Sequence, residues 1–309
     1  MTHLFIINPA AGSRDRTEEY TRKIRECCGS RSLPYRIEIS RAPGDCRRLA
    51  RAAAETGQEL RIYACGGDGT LNEVADGAAG FPNVSVTVFS GGSGNDFVKI
   101  FDDPKAFYDL DRLLDSQEVS FDLIRCNDIT ALNICSVGLD ARIGTDVSRY
   151  KRIPLLHGFR AYAASTVVNL VKGIAEHYAV EIDGQTLDGE FTFVCACNGR
   201  YYGGGFNPVP EADPTDGLLD VLLVKKVTRM QVPGLIGKYK NGRYRELPET
   251  LVTHCRTKAL TIHCDQEVPV NEDGECLLAR DVSLSIAEQR IRFFYPRGLS
   301  FAAKVPETV

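Results

Sequence analysis

The first 120 residues alternate between short apolar runs and segments of helical period. Residues 3–8 predict a buried strand, stopped by Pro9 and Gly12. Residues 16–28 carry helical spacing with mixed charge, 34–39 alternate like a second strand, and Pro43-Gly44-Asp45 opens a helix running to about Glu55. Leu60, Ile62, Tyr63 and Ala64 predict a third strand that breaks into Gly66-Gly67-Asp68-Gly69-Thr70. Leu71, Val74, Ala75 and Ala78 then recur on one helical face. Residues 83–89 predict a fourth strand and Ser90-Gly91-Gly92-Ser93-Gly94-Asn95-Asp96 a second glycine-rich turn, with helices at 95–100 and 104–116. This alternation predicts a parallel, doubly wound α/β domain over residues 1–123. Ligands of such sheets bind beyond the carboxyl ends of the strands, where both glycine turns fall.

The rhythm changes near Val119. Residues 119–126 and 129–137 are strand-like, 139–149 is polar with a short helix, and 154–175 is the longest helical candidate. Residues 177–182 and 186–197 predict a hairpin about Asp183-Gly184. Strands follow at 218–224, 258–264, 267–271, 276–279 and 281–295, with a helix at 228–240. Many strands and few helices predict an all-β, sandwich-like second domain over residues 124–295, with the tail 296–309 a candidate to rejoin the first domain.

Composition narrows the partners. A net charge of −4 gives no support for nucleic-acid binding, which calls for a basic surface. The N-terminus lacks the basic and apolar regions of a signal peptide, and no stretch approaches the roughly 18 apolar residues of a membrane span. A cytoplasmic protein is therefore expected, and its 11 cysteines are expected to be reduced thiols acting as small hydrophobes. The oligomeric state stays open, a homodimer included.

Glycines at a strand-to-helix turn let a phosphate approach the backbone and meet the N–H groups of the first helical turn. Asp68 is the anomaly there, because a carboxylate beside a polyphosphate needs a cation or water between them; this points to Mg²⁺ with a nucleotide. Asp213 and Asp216, three apart on a Pro- and Gly-rich loop, are able to ligate one hard cation, or to lie on a solvated turn. The triplet Asp-Gly-Glu occurs twice, at 188–190 and 273–275, and is first of all a hairpin signal. A Walker A loop and the protein-kinase signatures are absent. Glycines, carboxylates and a cation together fit phosphoryl transfer to a hydroxyl.

Five motifs in order, Asn8-Pro9-x-x-Gly12, Gly66 to Glu73, Gly92 to Phe97, Pro210-x-Ala212-x-x-x-Asp216-Gly217 and Asp273-Gly274-Glu275, span most of the chain. In this combination the sequence resembles the diacylglycerol kinase catalytic family, in its soluble bacterial branch of diacylglycerol kinase- and sphingosine kinase-like enzymes. The resemblance implies an N-terminal nucleotide domain like that of phosphofructokinase and NAD kinase, a C-terminal β-sandwich, and ATP bound in the cleft between them. It implies nucleotide contacts from Asn8, Gly12, Ser40, Gly66, Gly67, Asp68, Gly69, Thr70, Asn72, Glu73, Ser93, Asn95, Asp96 and Asp122. It makes Asp273 the general base and Glu275 its supporting carboxylate. Asp216, Asp213 and the Leu218 carbonyl become a Mg²⁺ site linked to Asp68 through water. The implied activity is transfer of the ATP γ-phosphate to the hydroxyl of a diacylglycerol-like lipid at a membrane surface, with a long-chain base or phosphatidylglycerol as other acceptors. A nucleotide-binding regulator without turnover is the alternative outside catalysis. Two departures stand out: Ser90-Gly91 replaces a proline and an apolar residue, and Ser93 replaces threonine while keeping the hydroxyl. The 154–175 segment, with Lys151, Arg152 and Arg160 near its start, is able to lie on a membrane or to pack on the sandwich.

Overall fold

A computed structural model describes residues 1–92, 94–150, 165–166, 168–170 and 173–301, without the side chains of 147–150. The expected 154–175 helix lies largely outside the described residues. The chain divides into two compact units, residues 1–123 with 288–301, and residues 124–287.

The first unit runs β1 (Thr2–Ile7), α1 (Thr17–Ser30), β2 (Tyr35–Ile39), α2 (Asp45–Ala54), β3 (Leu60–Gly66), α3 (Asp68–Ala78), β4 (Val84–Ser90), α4 (Leu110–Leu114) and β5 (Ser116–Phe121). The second carries β6 (Ile124–Cys126), β7 (Ile129–Ala131), β8 (Ile134–Gly138), α5 (Leu139–Tyr150), β9 (Glu176–Ile182) and β10 (Gln185–Cys197). It continues through β11 (Leu219–Lys225), α6 (Val232–Lys240), β12 (Val252–Thr257), β13 (Ala259–Glu272) and β14 (Glu275–Ile286), before β15 (Ile291–Pro296) returns to the first unit.

In the first unit six strands form one sheet in the order β2-β1-β3-β4-β15-β5, parallel throughout except for the β15–β5 pair. β4 is buried at every position and β1 and β3 nearly so, as strands covered on both faces must be, while β2 at the edge is half exposed. Helices cover the sheet through small or spaced apolar residues: Tyr20, Ile24 and Cys28 on α1, and Cys46, Ala50, Ala53 and Ala54 on α2. Gly77 of α3 lies so close to the Arg47 carbonyl of α2 that a Cβ there would overlap it.

Two expectations change here. The helix expected at 104–116 is two short ones, because Asp103 caps a turn of 3₁₀ helix at Pro104–Tyr108 and Asp109 caps α4 through the Asp111 and Arg112 amides. The strand expected over 281–295 is cut by residues 287–290, and its second half leaves the sandwich to insert between β4 and β5. There Phe293 packs against Phe97, Phe101, Phe107 and Phe121.

In the second unit nine strands form one curved sheet, β12-β11-β10-β8-β13-β14-β6-β7, with β9 paired to both β10 and β13. β8 and β9 lie end to end between the long strands β10 and β13, each pairing with a different stretch of both. The separate strands expected at 258–264 and 267–271 are one 14-residue strand, with a shift of register between His263 and Val268. Alternate residues split between two cores. Val194, Ala196, Val221 and Leu223 enter one; Cys195, Cys197, Leu222 and Val224 enter another, beneath Val232 and Tyr244. All 11 cysteines are free thiols.

Candidate active site

The two glycine turns of the first unit lie against each other. The Gly91 and Gly92 amides both donate to the Gly66 carbonyl, at 2.8 and 3.0 Å. A Cβ on Gly67 would stand 3.0 Å from the Gly92 Cα, and one on Gly92 would overlap Gly67, so both positions exclude a side chain. Gly12 (φ +84°) adds a third backbone segment: its missing Cβ would meet the Gly91 carbonyl at 2.9 Å. Asn8 fixes the same corner. Its Nδ2 donates to Thr70 Oγ1 (3.0 Å) and its Oδ1 accepts from the Ala10 amide (3.0 Å). Asn8, Gly12, Gly66, Gly67, Asp68, Gly69 and Thr70 are thus brought together at the carboxyl ends of β1 and β3, at the N-terminus of α3. Buried Ser90 Oγ and Asn95 Oδ1 have no hydrogen-bond partner here, and buried acceptors of that kind want a donor.

Asp68 and Asp96 share this corner. Asp68 Oδ1 accepts from the Phe97 amide (3.1 Å), and buried Asp96 pairs with Lys99. Burial, then repulsion from Asp96, pushes the Asp68 carboxyl up to about 6, against the Phe97 and Asp96 amides and Lys99. Asn95 adopts φ +47° and donates through Nδ2 to the Gly92 carbonyl (3.0 Å) and Tyr108 (2.5 Å). Ser93 lies outside the described residues.

Other members of the expected nucleotide set have structural work. Glu73 is buried and accepts from the Gly44 and Cys46 amides (both 3.1 Å), so it caps the start of α2 from α3. Asn72 is buried within α3, and Ser40, just past β2, is buried with its amide on the Ile7 carbonyl. Asp122 is buried and paired with Arg290 at 2.8 Å. Strand register sets Phe121 opposite Ile291, and Phe293 opposite Val86. Asp122 is therefore level with the start of β4, at the edge away from the Gly66 and Ser90 ends.

In the second unit Asp273 and Gly274 turn the β13–β14 hairpin, with φ +49° and +95°. Both Asp273 oxygens are engaged by backbone: Oδ2 accepts from the Leu132 and Asn133 amides (2.7 and 2.9 Å) and Oδ1 from Ile134 (2.8 Å). The expected base thus ties the 131–134 loop to the hairpin. Glu275, at the start of β14, is exposed. The other Asp-Gly-Glu copy lies within β10, its residues paired with Ala179, Tyr178 and His177 of β9; exposed Asp188 faces His177, and Glu190 pairs with Lys226.

The loop before β11 brings Asp213, Asp216 and Leu218 together but engages one oxygen of Asp213 and both of Asp216. Asp213 Oδ1 accepts from the Thr215 amide and hydroxyl (3.0 and 2.7 Å), and Asp216 Oδ1 from the Leu218 amide (3.0 Å). Asp216 Oδ2 pairs with Arg256, which also stands 3.5 Å from the buried Asp220 carboxylate. Burial holds the Asp216 carboxyl above its ordinary value, with Asp213 and Asp220 adding to this and Arg256 and the Leu218 amide opposing it. Among the described residues no three His, Cys, Asp or Glu side chains form a metal cluster. Arg256 holds Asp216 Oδ2 and the Leu218 amide holds Oδ1, so as folded Asp216 does not offer a hard ion a free carboxylate oxygen and the set does not fit a bound metal ion.

The sequence reading missed a cavity of about 70 Å³ under α6, with walls including Leu139, Ile143, Phe193, Leu235, Ile236 and Tyr239. One carboxylate, Asp140, lines it. Asp140 Oδ1 accepts from Tyr202 (2.6 Å), whose hydroxyl meets that of Tyr239 (2.8 Å), and its buried Oδ2 has no well-formed hydrogen bond. Burial raises its pKa, partly offset by the Tyr202 and Ser136 hydroxyls. Its only trace in the sequence was an acidic residue beside the apolar run 134–139.

Residues 2–126 match the diacylglycerol kinase catalytic domain, and residues 133–295, over half of the chain, match the YegS C-terminal NAD kinase beta sandwich-like domain. A protein from Staphylococcus epidermidis named "Putative lipid kinase" is 26% identical over 262 residues, 83% of this chain and 84% of its own. One of the same name from Staphylococcus aureus is 24% identical over 261 residues, 83% and 85% of the two chains. A crystal structure described as a "putative diacylglycerol kinase" from Bacillus anthracis superposes with a TM-score of 0.76 at 20% identity, covering 97% of this chain and 98% of that one, and shares the fold. With the catalytic domain in one half and the sandwich in the other, this chain belongs to the diacylglycerol kinase family, as a phosphotransferase of the lipid-kinase type.

Proposed function

We propose that this protein transfers the γ-phosphoryl group of ATP, taken up as its Mg²⁺ chelate, to the free hydroxyl of a diacylglycerol-like lipid. The observation that carries this is the stacking of Gly12, Gly67 and Gly92, which leaves backbone without side chains at the N-terminus of α3. Such a surface accepts a polyphosphate through N–H groups and the helix dipole. Asn8 and Thr70 hold its shape. Ser90 and Asn95 offer unpartnered buried oxygens at its edge. With Asp68 and Asp96 close by, the bare triphosphate would be repelled, and the Mg²⁺ carried by the substrate relieves that repulsion. Ser40, Asn72 and Glu73 support this shape from behind rather than touching nucleotide, and Asp122 lies toward the other end of the strands.

The attacking hydroxyl needs a base, and the β13–β14 hairpin carries two candidate carboxylates. Asp273 is committed to three backbone amides and positions the turn; exposed Glu275 is the better base. The lipid's chain has an apolar cavity under α6 to enter. The loop that Asp273 anchors leads there: Asn133 Nδ2 donates to the Tyr201 carbonyl, and the next residue, Tyr202, donates to Asp140. Asp140, whose buried Oδ2 has no well-formed hydrogen bond, supports a second acceptor class, long-chain bases, whose ammonium would pair with it. Among the described residues no helix is long and apolar enough to cross a membrane, so the enzyme would meet its lipid as a peripheral protein.

Purified protein incubated with MgATP and mixed micelles of diacylglycerol, phosphatidylglycerol or a long-chain base tests the reading. Diacylglycerol is expected to be phosphorylated fastest. A preference for the long-chain base, lost in Asp140→Asn, would move the assignment to the second class. Nucleotide binding without phosphorylation of any lipid would favour a regulatory protein.

A further inference from the structure

The acidic loop before β11 carries an arrangement that the lipid-kinase reading does not explain. Asp213, Asp216 and Asp220 crowd one end of β11, and their mutual repulsion favours taking up a cation. The fold supplies one covalently. Antiparallel register sets Arg256 of β12 opposite Asp220 of β11. From there the guanidinium pairs with Asp216 Oδ2 and stands 3.5 Å from Asp220 Oδ1, while His254 meets the same Asp220 oxygen at 2.8 Å. Gly217, at φ +75°, turns the chain so that Asp216 faces Arg256 and also accepts the Leu218 amide. A divalent ion taken up by Asp216 would meet a guanidinium already paired with its Oδ2, and the two positive charges repel.

We propose that Arg256 is a built-in counter-ion that, by pairing with Asp216 and Asp220, stands in for a cation at the Asp213–Asp216–Leu218 loop, so that this loop folds and holds its shape without bound metal. The proposal concerns the nucleotide-free protein and does not depend on which acceptor is phosphorylated. A planar guanidinium bridging two carboxylates substitutes for the charge of a cation but not for its open coordination positions.

Removing the guanidinium should create the metal site. Mn²⁺ is the probe, read by electron paramagnetic resonance on protein freed of nucleotide and treated with chelator; melting temperature with and without Mg²⁺ is the second readout. Wild type is expected to bind Mn²⁺ weakly at this loop and to melt at the same temperature in Mg²⁺ and in EDTA. Arg256→Gln should bind Mn²⁺ at least tenfold more tightly and melt several degrees higher in Mg²⁺ than in EDTA, and Asp216→Asn added to it should abolish both changes. Arg256→Lys keeps the charge with a shorter reach, and should fall between wild type and Arg256→Gln. Tight Mn²⁺ binding by wild type that is lost in Asp216→Asn and unchanged in Arg256→Gln would overturn the proposal. So would equally weak binding by wild type and a folded Arg256→Gln.

Discussion

Single side chains divide the motif residues into those gathered at the glycine turns and those that hold backbone elsewhere. Asp68 ionises in the folded protein only near pH 6, against 3.8 for the unfolded chain. Between those values the native state binds more protons, so stability falls as pH rises through the window and stays reduced above it. Asp68→Asn keeps an acceptor for the Phe97 amide and removes this penalty. It should stabilise the nucleotide-free protein by about 1–3 kcal/mol at pH 7.5 and by almost nothing at pH 4. Equal effects in urea unfolding at both pH values would contradict the account. The hairpin carboxylates separate in the opposite sense. Asp273→Asn leaves backbone donors unmatched and should cost about 1–3 kcal/mol of stability. Glu275→Gln should unfold like wild type while slowing turnover by about 10²–10⁴-fold. A sequence displays the triplet Asp-Gly-Glu but not which carboxylate the Leu132, Asn133 and Ile134 amides have claimed, because those donors lie about 140 residues away. Glu73 was illegible for the same reason, its partners being the amides that start α2.

Elements with strong local signals were readable. β3, its glycine turn and α3 follow from an apolar run, Gly-Gly, and a helical stripe, and the hairpin at Asp183-Gly184 from its turn residues. Elements decided by distant partners were not. β12 is a half-exposed edge strand of polar sequence, formed by pairing with β11, and no alternation announced it. The residues of β15 read as part of β14 because only the gap between β4 and β5 gives its buried aromatic face a place to go. The α2–α3 contact gives a test at this scale. Gly77→Ala places a methyl against the Arg47 carbonyl and should destabilise the protein by about 2 kcal/mol, measured by chemical unfolding, although alanine is the better helix former. A neutral or stabilising result would mean that the two helices separate at little cost.

At the scale of the whole molecule the chain builds two units by two rules of patterning. Continuous apolar strands with crossover helices make the first, and long antiparallel strands with both faces buried make the second. The chain leaves the first unit after Leu123 and re-enters it at Glu288, and the Asp122–Arg290 pair ties the two crossing points together. Composition gave no support for nucleic acid as a partner and left the acceptor open, since the cavity is assembled from residues scattered from Leu139 to Val252. The central claim is that this fold moves phosphate from ATP onto a lipid hydroxyl. Its most direct test is the fate of label from γ-³²P-ATP incubated with wild type or Glu275→Gln and diacylglycerol micelles, followed by organic extraction. Label should enter a lipid phosphate with wild type and fall at least a hundredfold with Glu275→Gln. Label found only as inorganic phosphate, or lipid labelled equally by both proteins, would contradict the account.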